Sequence, residues 1–351
     1  MGPHRLSLRA AVAVAAVILL CSAAFVSAQG GDGRDAPAVP FTQLLSREAS
    51  SSARLYSPRS PFNRAIDGDP TVDRDSDAMI AGLVEEVDEG GATLTWRRFT
   101  VPLLVAGRNT PRRRVRLTAP WRARDAILRV PLPRNAMPDP ASDGHLAVID
   151  PATRCEYDFW RLRRRGARWS ASWGNAIGVD GSGVYPRGLS ARGSGFALLA
   201  GLVMPGELER GRIDHALLLS YPRTRSRGPV RPATESDGRT PGRGAIPEGA
   251  RLQLDPSLDL DVLGLTRYER TIARALQVYG AYVGDTGGRG VSLYALHSMS
   301  TPQNPYRSTL PDETYPPLAG IPFGRMQVLG LGPQRRRSVQ IARNRCARFA
   351  R

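Results

Sequence analysis

Glu156-Tyr157-Asp158-Phe159-Trp160 sets two carboxylates and an indole at alternate positions. Side chains alternate along a strand, so Glu156, Asp158 and Trp160 face one way while Tyr157 and Phe159 face a core. Two carboxylates on one face beside an aromatic ring suit glycoside chemistry, which needs an acid and a base or nucleophile across the scissile bond. Arg161 follows directly, and a guanidinium can hold a sugar carboxylate through two parallel hydrogen bonds. The same five residues also read as an ordinary amphipathic strand whose acids pair with nearby arginines.

Other candidates are more scattered. His145 follows Asp143-Gly144 at the start of a strand, and His215 follows Asp214 at the opening of an apolar one. Neither has H-x-x-H or H-E-x-x-H spacing, which excludes the zinc-protease pattern. A β-sandwich polysaccharide lyase takes its proton with Tyr or His and neutralises the uronate with Arg, Asn or His. His145, His215 and Tyr282 supply those types, although histidines bonded to backbone in a core would look the same. Asp285 sits where a strand enters the turn Thr286-Gly287-Gly288, a common place for a site residue and equally for an Asx turn. Trp160, Trp169 and Trp173 fall in one expected hairpin, and aromatic faces stack on sugar rings. The candidate catalytic set is therefore His145, Asp158, His215, Tyr282 and Asp285. The candidate substrate contacts are Glu156, Trp160, Arg161, Trp169 and Trp173.

No cofactor is implied, and no metal site is assigned. Asp73, Asp75 and Asp77 alternate like a calcium loop, but Ala78 and Val84 stand where that loop needs Gly and Glu. Asp255, Asp259 and Asp261 form a second acidic loop, and calcium is the metal either loop could take. G-x-S-x-G is absent, Gly193-Ser194-Gly195 being only a partial match, so a serine hydrolase lacks its elbow.

The elements that must carry these residues are mostly strands. Asp75 could cap a helix over 76–87, where Met79, Ile80, Leu83, Val84 and Val87 recur at helical spacing. Short β-like runs follow at 93–99, 114–118 and 126–131. Runs at 145–150, 156–162 and 169–173 read as a meander, and 213–221 as another strand. The span 223–249 is dense in Pro, Gly, Arg and Ser and long for a loop, so it is either functional or mobile. A strand at 251–254 and a helix over 266–279 come next. Runs at 281–285 and 291–296 read as a hairpin, and 325–331 as a final strand. Many short strands with few helices predict a mainly β fold, a jelly roll or β-sandwich.

The ends of the chain carry a different signal. Arg5 and Arg9 precede an apolar run over 10–26, and Val26-Ser27-Ala28 fits a small-residue cleavage site, the three parts of a secretory signal peptide. Cys21 within that run invites a lipoprotein reading, but Leu19-Leu20 before it do not fit. The expected organisation is a signal peptide over 1–28, a flexible lead-in over 29–55, one β-sandwich domain over 56–332 and an arginine-rich tail over 333–351. The expected location is extracellular. Cys155 and Cys346 survive cleavage, and in an oxidising compartment they form either one disulfide or two free thiols.

The net charge is +17 at pH 7, yet the chain has no lysine. An arginine-only chain rich in alanine and glycine reflects GC-rich coding, which raises basicity without any ligand. Zinc-finger and basic-zipper patterns are absent. A polysaccharide or cell-envelope glycan is therefore the expected partner, with no specific nucleic acid and no membrane-spanning segment after cleavage. The oligomeric state is open.

Two resemblances accompany these readings. The 156–160 strand resembles part of the E-x-D-x-E strand of laminarinase-like jelly-roll glycosidases, departing where Trp160 or Arg161 stands in place of the last glutamate. Asp143 to His145, Tyr157 to Trp160, Ile213 to Leu217 and Tyr279 to Gly287 together resemble secreted actinobacterial proteins of unassigned role. The first resemblance implies a glycoside hydrolase; the second implies a single exported domain and no particular activity. The function these signs support is a secreted carbohydrate-active protein, a lyase or hydrolase on an acidic glycan, with a non-catalytic glycan- or envelope-binding module as the alternative. N-terminal sequencing of the exported protein is expected to begin at Gln29; a lipid-modified Cys21 would overturn that expectation.

Overall fold

The computed structural model describes residues 55–119, 127–185, 190–336, 344–347 and 349–350. The expected signal peptide, most of the lead-in and part of the C-terminal tail lie outside the described residues. The fold is mainly β, with three mixed sheets and three short helices among the described residues. None of those helices is long and apolar enough to cross a membrane.

The first sheet has six strands in the order β1 (Ala92–Thr95), β13 (Val291–Tyr294), β10 (Leu217–Tyr221), β12 (Ala281–Thr286), β11 (Arg251–Leu254) and β14 (Met326–Val328). The second runs β2 (Leu103–Val105), β5 (Leu146–Asp150), β6 (Cys155–Trp160) and β9 (Trp173–Gly178). The third runs β15 (Phe349–Ala350), β4 (Ile127–Pro131), β3 (Arg112–Leu117), β8 (Arg168–Ala171) and β7 (Arg163–Arg165). Each sheet holds both parallel and antiparallel pairs.

Alternation along the strands divides the interior into three cores. Leu217, Leu219, Val283 and Leu293 of the first sheet meet α1 (Ser76–Gly90), α2 (Pro205–Arg210) and α3 (Arg267–Val278). The opposite face of that sheet, with Leu218, Tyr282 and Tyr294, joins Leu103, Ala147 and Ile149 of the second sheet around an irregular stretch that includes Phe196–Leu202. The far face of the second sheet, with Val148, Tyr157 and Phe159, packs on Val115, Leu128 and Trp169 of the third. The stack is thus helices, sheet, sheet, sheet. α3 begins with a capping box, in which Thr266 Oγ1 accepts from the Glu269 N–H and Glu269 Oε2 accepts from the Thr266 N–H at 3.0 Å. Its Tyr268, Ile272, Ala275 and Leu276 are buried as the spacing predicts. α1 starts after Asp75 without a side-chain cap; Asp73 Oδ1 holds the Asp75 N–H instead.

Two expected pairings differ. β12 and β13 do not form a hairpin, because β10 lies between them, parallel to one and antiparallel to the other. All five residues of β10 are buried, and a strand apolar on both faces belongs in the middle of a sheet. The expected strand over 169–173 is split: Trp169 lies on β8 of the third sheet and Trp173 on β9 of the second. The two tryptophans enter one core from opposite sides.

Cys155 and Cys346 form a disulfide across a sequence separation of 191. Beyond it, β15 pairs antiparallel with β4. Closing so long a loop stabilises by about 5 kcal/mol in the chain-entropy model. The double variant Cys155→Ser/Cys346→Ser is expected to lower the urea midpoint accordingly. Alkylation of two thiols in the folded, unreduced protein would contradict the bridge.

Candidate functional site

The stretch Phe196–Val203 runs through the middle core, and every residue in it except Gly201 is an apolar residue at most 1% exposed. It forms no strand, so its backbone groups need partners other than a ladder. Two come from β6. Leu198 N–H donates to Asp158 Oδ2 at 3.1 Å, and Leu199 N–H donates to Glu156 Oε1 at 3.1 Å. Tyr185 and Tyr56 hydroxyls complete the set, donating to Asp158 Oδ2 at 3.0 Å and to Glu156 Oε2 at 2.6 Å. Gly201, at φ +74°, brings the stretch against β10, where a Cβ would lie 2.7 Å from the Leu218 nitrogen.

Glu156 and Asp158 therefore do share a face of β6 with Trp160, as alternation requires. That face is covered: both carboxyls are fully buried, and of the three only Trp160 reaches a cavity. Burial first and Asp158 second push Glu156 well above the usual carboxylate range. Burial likewise pushes Asp158 up to about 6. The pair resists losing both of its protons, because two carboxylates this close cannot easily both ionise.

The cavity that Trp160 reaches has a volume of about 890 Å³ and is lined by residues of both of the first two sheets. Its wall includes the segments 143–145, 160–161, 190–193, 235–237 and 285–289, with Thr93, Thr95 and Trp173. Strand β13 adds Ser292 and Tyr294 to the wall. A bulge between Leu219 and Ser220 shifts the β10–β12 register, so that Ser220 pairs with Asp285 rather than Gly284. A bulge re-aims the side chain that follows it. Gly284 permits this bulge, since a Cβ there would sit 2.3 Å from the Leu218 side chain.

Arg192 is the central charge of the cavity. Its side chain is wholly buried. Nη2 donates to the Leu198 carbonyl at 3.0 Å, Nη1 lies 3.6 Å from Asp285 Oδ2, and the guanidinium sits 5.0 Å over the Tyr294 ring. Nε and Nη1 have no hydrogen-bond acceptor among the described residues. Burial raises Asp285 to about 7, with Arg192 opposing and Asp237 and Asp143 reinforcing the rise. Burial and then Arg192 lower His145 to about 4, leaving a neutral imidazole at physiological pH. Burial, followed by Asp285, raises the Tyr294 phenol.

Behind Asp285 stands a second set of acids. Asp237, Glu248 and Asp285 each offer an oxygen within 4.8 Å of the others. Thr286 Oγ1 donates to Asp237 Oδ1, and the Asp237 N–H donates to Glu248 Oε2 at 3.2 Å. Glu248 is pushed well above the usual range by burial, then by Asp237 and Asp285. Three oxygens this close can hold a hard cation, and protons relieve the same repulsion. Among the described residues this is the one grouping with metal-ligand geometry. The two acidic loops read from the sequence are used otherwise: Asp255 pairs with Arg325 and Asp261 with Arg270, while Asp73 binds backbone N–H groups.

Of the ten candidate residues, the cavity gathers His145, Trp160, Arg161, Trp173 and Asp285. His215 lies elsewhere, its Nε2 3.1 Å from Glu207 Oε1. Tyr282 packs edge-on against Phe62 and Phe196, under the Arg251 guanidinium. Trp169 is in the third core. Sequence reasoning missed Arg192, Asp237 and Tyr294. Arg192 did leave a trace: it is a lone charge at the head of the apolar run that continues to Val203. The chain matches no protein-family model, no curated protein and no solved structure.

Asp158→Ala leaves the Leu198 N–H and the Tyr185 hydroxyl without their buried acceptor, at an expected cost of about 2–4 kcal/mol. Asp158→Asn keeps a carbonyl acceptor and should cost less. Folding raises Asp158 from 3.8 to about 6, so the folded state binds more protons between those values. This contribution is present below pH 3.8 and is lost as pH rises through the folded value. Urea midpoints measured across that window should fall in the wild type and fall less in Asp158→Asn.

Proposed function

We propose that this protein is a secreted carbohydrate-active enzyme that hydrolyses a polysaccharide of acidic sugars. The observation that carries the reading is Arg192: a buried guanidinium at the wall of a cavity large enough for a sugar, with Nε and Nη1 lacking a hydrogen-bond acceptor among the described residues and Nη1 3.6 Å from a carboxyl held near pKa 7. A buried cation with spare donors suits a carboxylate ligand. In this reading Arg192 receives the uronate carboxylate, and Trp160, with the Arg161 guanidinium 4.5 Å over its ring, offers a stacking face at the cavity wall.

Asp285 is the general acid. A carboxyl near 7 is protonated in a good fraction of molecules at neutral pH and can protonate a leaving glycosidic oxygen. Asp237 is the second carboxylate, oriented by Thr286 and with an oxygen within 4.8 Å of one on Asp285. The neutral His145 beside Arg192 can accept a hydrogen bond from a sugar hydroxyl. Export rests on the N-terminal signal and is supported by the disulfide.

A polysaccharide panel tests the reading. New reducing ends from a polyuronate are expected, without the absorbance of an unsaturated uronate. Asp285→Asn and Asp237→Asn should each lower turnover at least about 100-fold. Turnover should fall as pH rises through about 7, where Asp285 loses its proton. Arg192→Gln should raise KM on acidic substrates more than on neutral ones. An absorbing product would replace hydrolysis by elimination, with Tyr294 and His145 as the proton-handling pair. Binding that Trp160→Ala weakens, with no product of either kind, would leave a glycan-binding module.

A further inference from the structure

The outer face of the third sheet is almost entirely arginine. Val115, Leu117, Leu128, Val130, Trp169 and Ala171 point into the third core. The positions between them point outward: Arg114 and Arg116 on β3, Arg129 on β4, and Arg168 and Ser170 on β8, while Arg112 at the start of β3 turns to Asp150 and the Tyr157 hydroxyl of the second sheet. On β7, Arg163 and Arg165 pair with Ser170 and Arg168 and so share their side. Among the described side chains, this face carries no carboxylate and no exposed aromatic.

Four of these arginines form one cross-strand row. Arg114 pairs with Arg129 on β4. Parallel pairing of Val115 with Trp169 sets Arg114 level with Arg168 on β8. Arg168 in turn pairs with Arg165 on β7. All four are exposed, and none makes an ion pair among the described residues. With strands about 4.8 Å apart, the row spans about 14 Å. Like charges directly opposite one another destabilise a sheet, so the row costs the free protein stability. Coding bias toward arginine does not account for it, because the chain also has 32 Asp and Glu and none falls among these outward positions.

We infer that this face is a docking surface for an acidic polysaccharide, held by its carboxylates along the row Arg129, Arg114, Arg168 and Arg165. Guanidinium forks bind carboxylates through two parallel hydrogen bonds, and an extended chain can follow a row of them from strand to strand. Nucleic acid fits less well. Among the described side chains the face has no exposed aromatic for a base to stack on, and a five-stranded sheet is not an element that enters a duplex groove. The surface is distinct from the Arg192 cavity, and its role stands whether or not that cavity turns over substrate.

The test uses the mature, disulfide-bonded chain and soluble polygalacturonate. Wild type is expected to bind with strong salt dependence. The variant R114Q/R129Q/R165Q/R168Q should bind at least about tenfold more weakly, and its slope of log affinity against log salt should flatten by about 3, four charges at roughly 0.7–0.9 each. Its melting temperature should not fall, since the exchanged side chains are exposed and mutually repulsive. The control R59Q/R210Q/R307Q/R335Q removes the same charge elsewhere and should keep wild-type affinity. Equal loss in both variants, no loss in the first, or tighter binding to duplex DNA than to polygalacturonate at matched salt would overturn the inference. Turnover of short oligosaccharides is read separately, so an inactive Asp285→Asn protein that still binds the polymer leaves this surface standing.

Discussion

An irregular backbone stretch at the centre of the molecule must find hydrogen-bond partners away from water, and Glu156 and Asp158 provide them. Phe196–Val203 fills the space between two sheets with apolar side chains, but it joins neither ladder as a strand. The acids of β6 accept its Leu198 and Leu199 N–H groups. The Leu198 carbonyl goes to Arg192, and the Gly201 carbonyl accepts from the Leu218 N–H. Side chains thus do for this segment what a neighbouring strand would ordinarily do. The position of Arg192, and with it the cavity, follows from how that segment is threaded.

Burying acids is costly unless they are hydrogen-bonded or protonated, and this protein uses both remedies. Around Glu156 and Asp158 the outcome is structural: two tyrosine hydroxyls and two backbone N–H groups, all enclosed. Around Asp285 the outcome differs, because Asp285 borders open volume and faces a cation as well as the Thr286 N–H. The same raised pKa therefore has opposite meanings in the two places. One carboxyl pair is part of the packing; the other acid has room beside it for a reacting atom.

Arginine is used in several physical roles. Arg251 caps the Tyr279 carbonyl, Arg225 ties the Ala245 and Arg243 carbonyls, and Arg345 holds the Thr153 carbonyl near the disulfide. Five parallel or forked donors on one planar group suit loops whose carbonyls lack a ladder. Such contacts absorb part of the net charge of +17 into structure. They contrast with Arg192, whose Nε and Nη1 lack an acceptor among the described residues, and with the exposed cross-strand row of the third sheet.

Period-two alternation and apolar spacing were sufficient for much of this. The sequence alone determined that the fold is mainly β, that α1 and α3 exist with the buried faces seen, and that Glu156, Asp158 and Trp160 share one side of a strand. These are local properties, set by side-chain direction within one element. The count of two cysteines outside the N-terminal segment allowed a disulfide or two thiols, and only the tertiary structure brought Cys155 and Cys346 together. Tertiary structure also decided that the Glu156 face is covered, because the covering segment lies some 40 residues away (Leu198 from Asp158) and has no period of its own. It decided that β10 separates β12 from β13, a choice that turns on which strand can bury both faces. It decided that Arg192, Asp237 and Asp285, from three distant segments, share one cavity. No local pattern encodes such a meeting, since it depends on how the sheets stack.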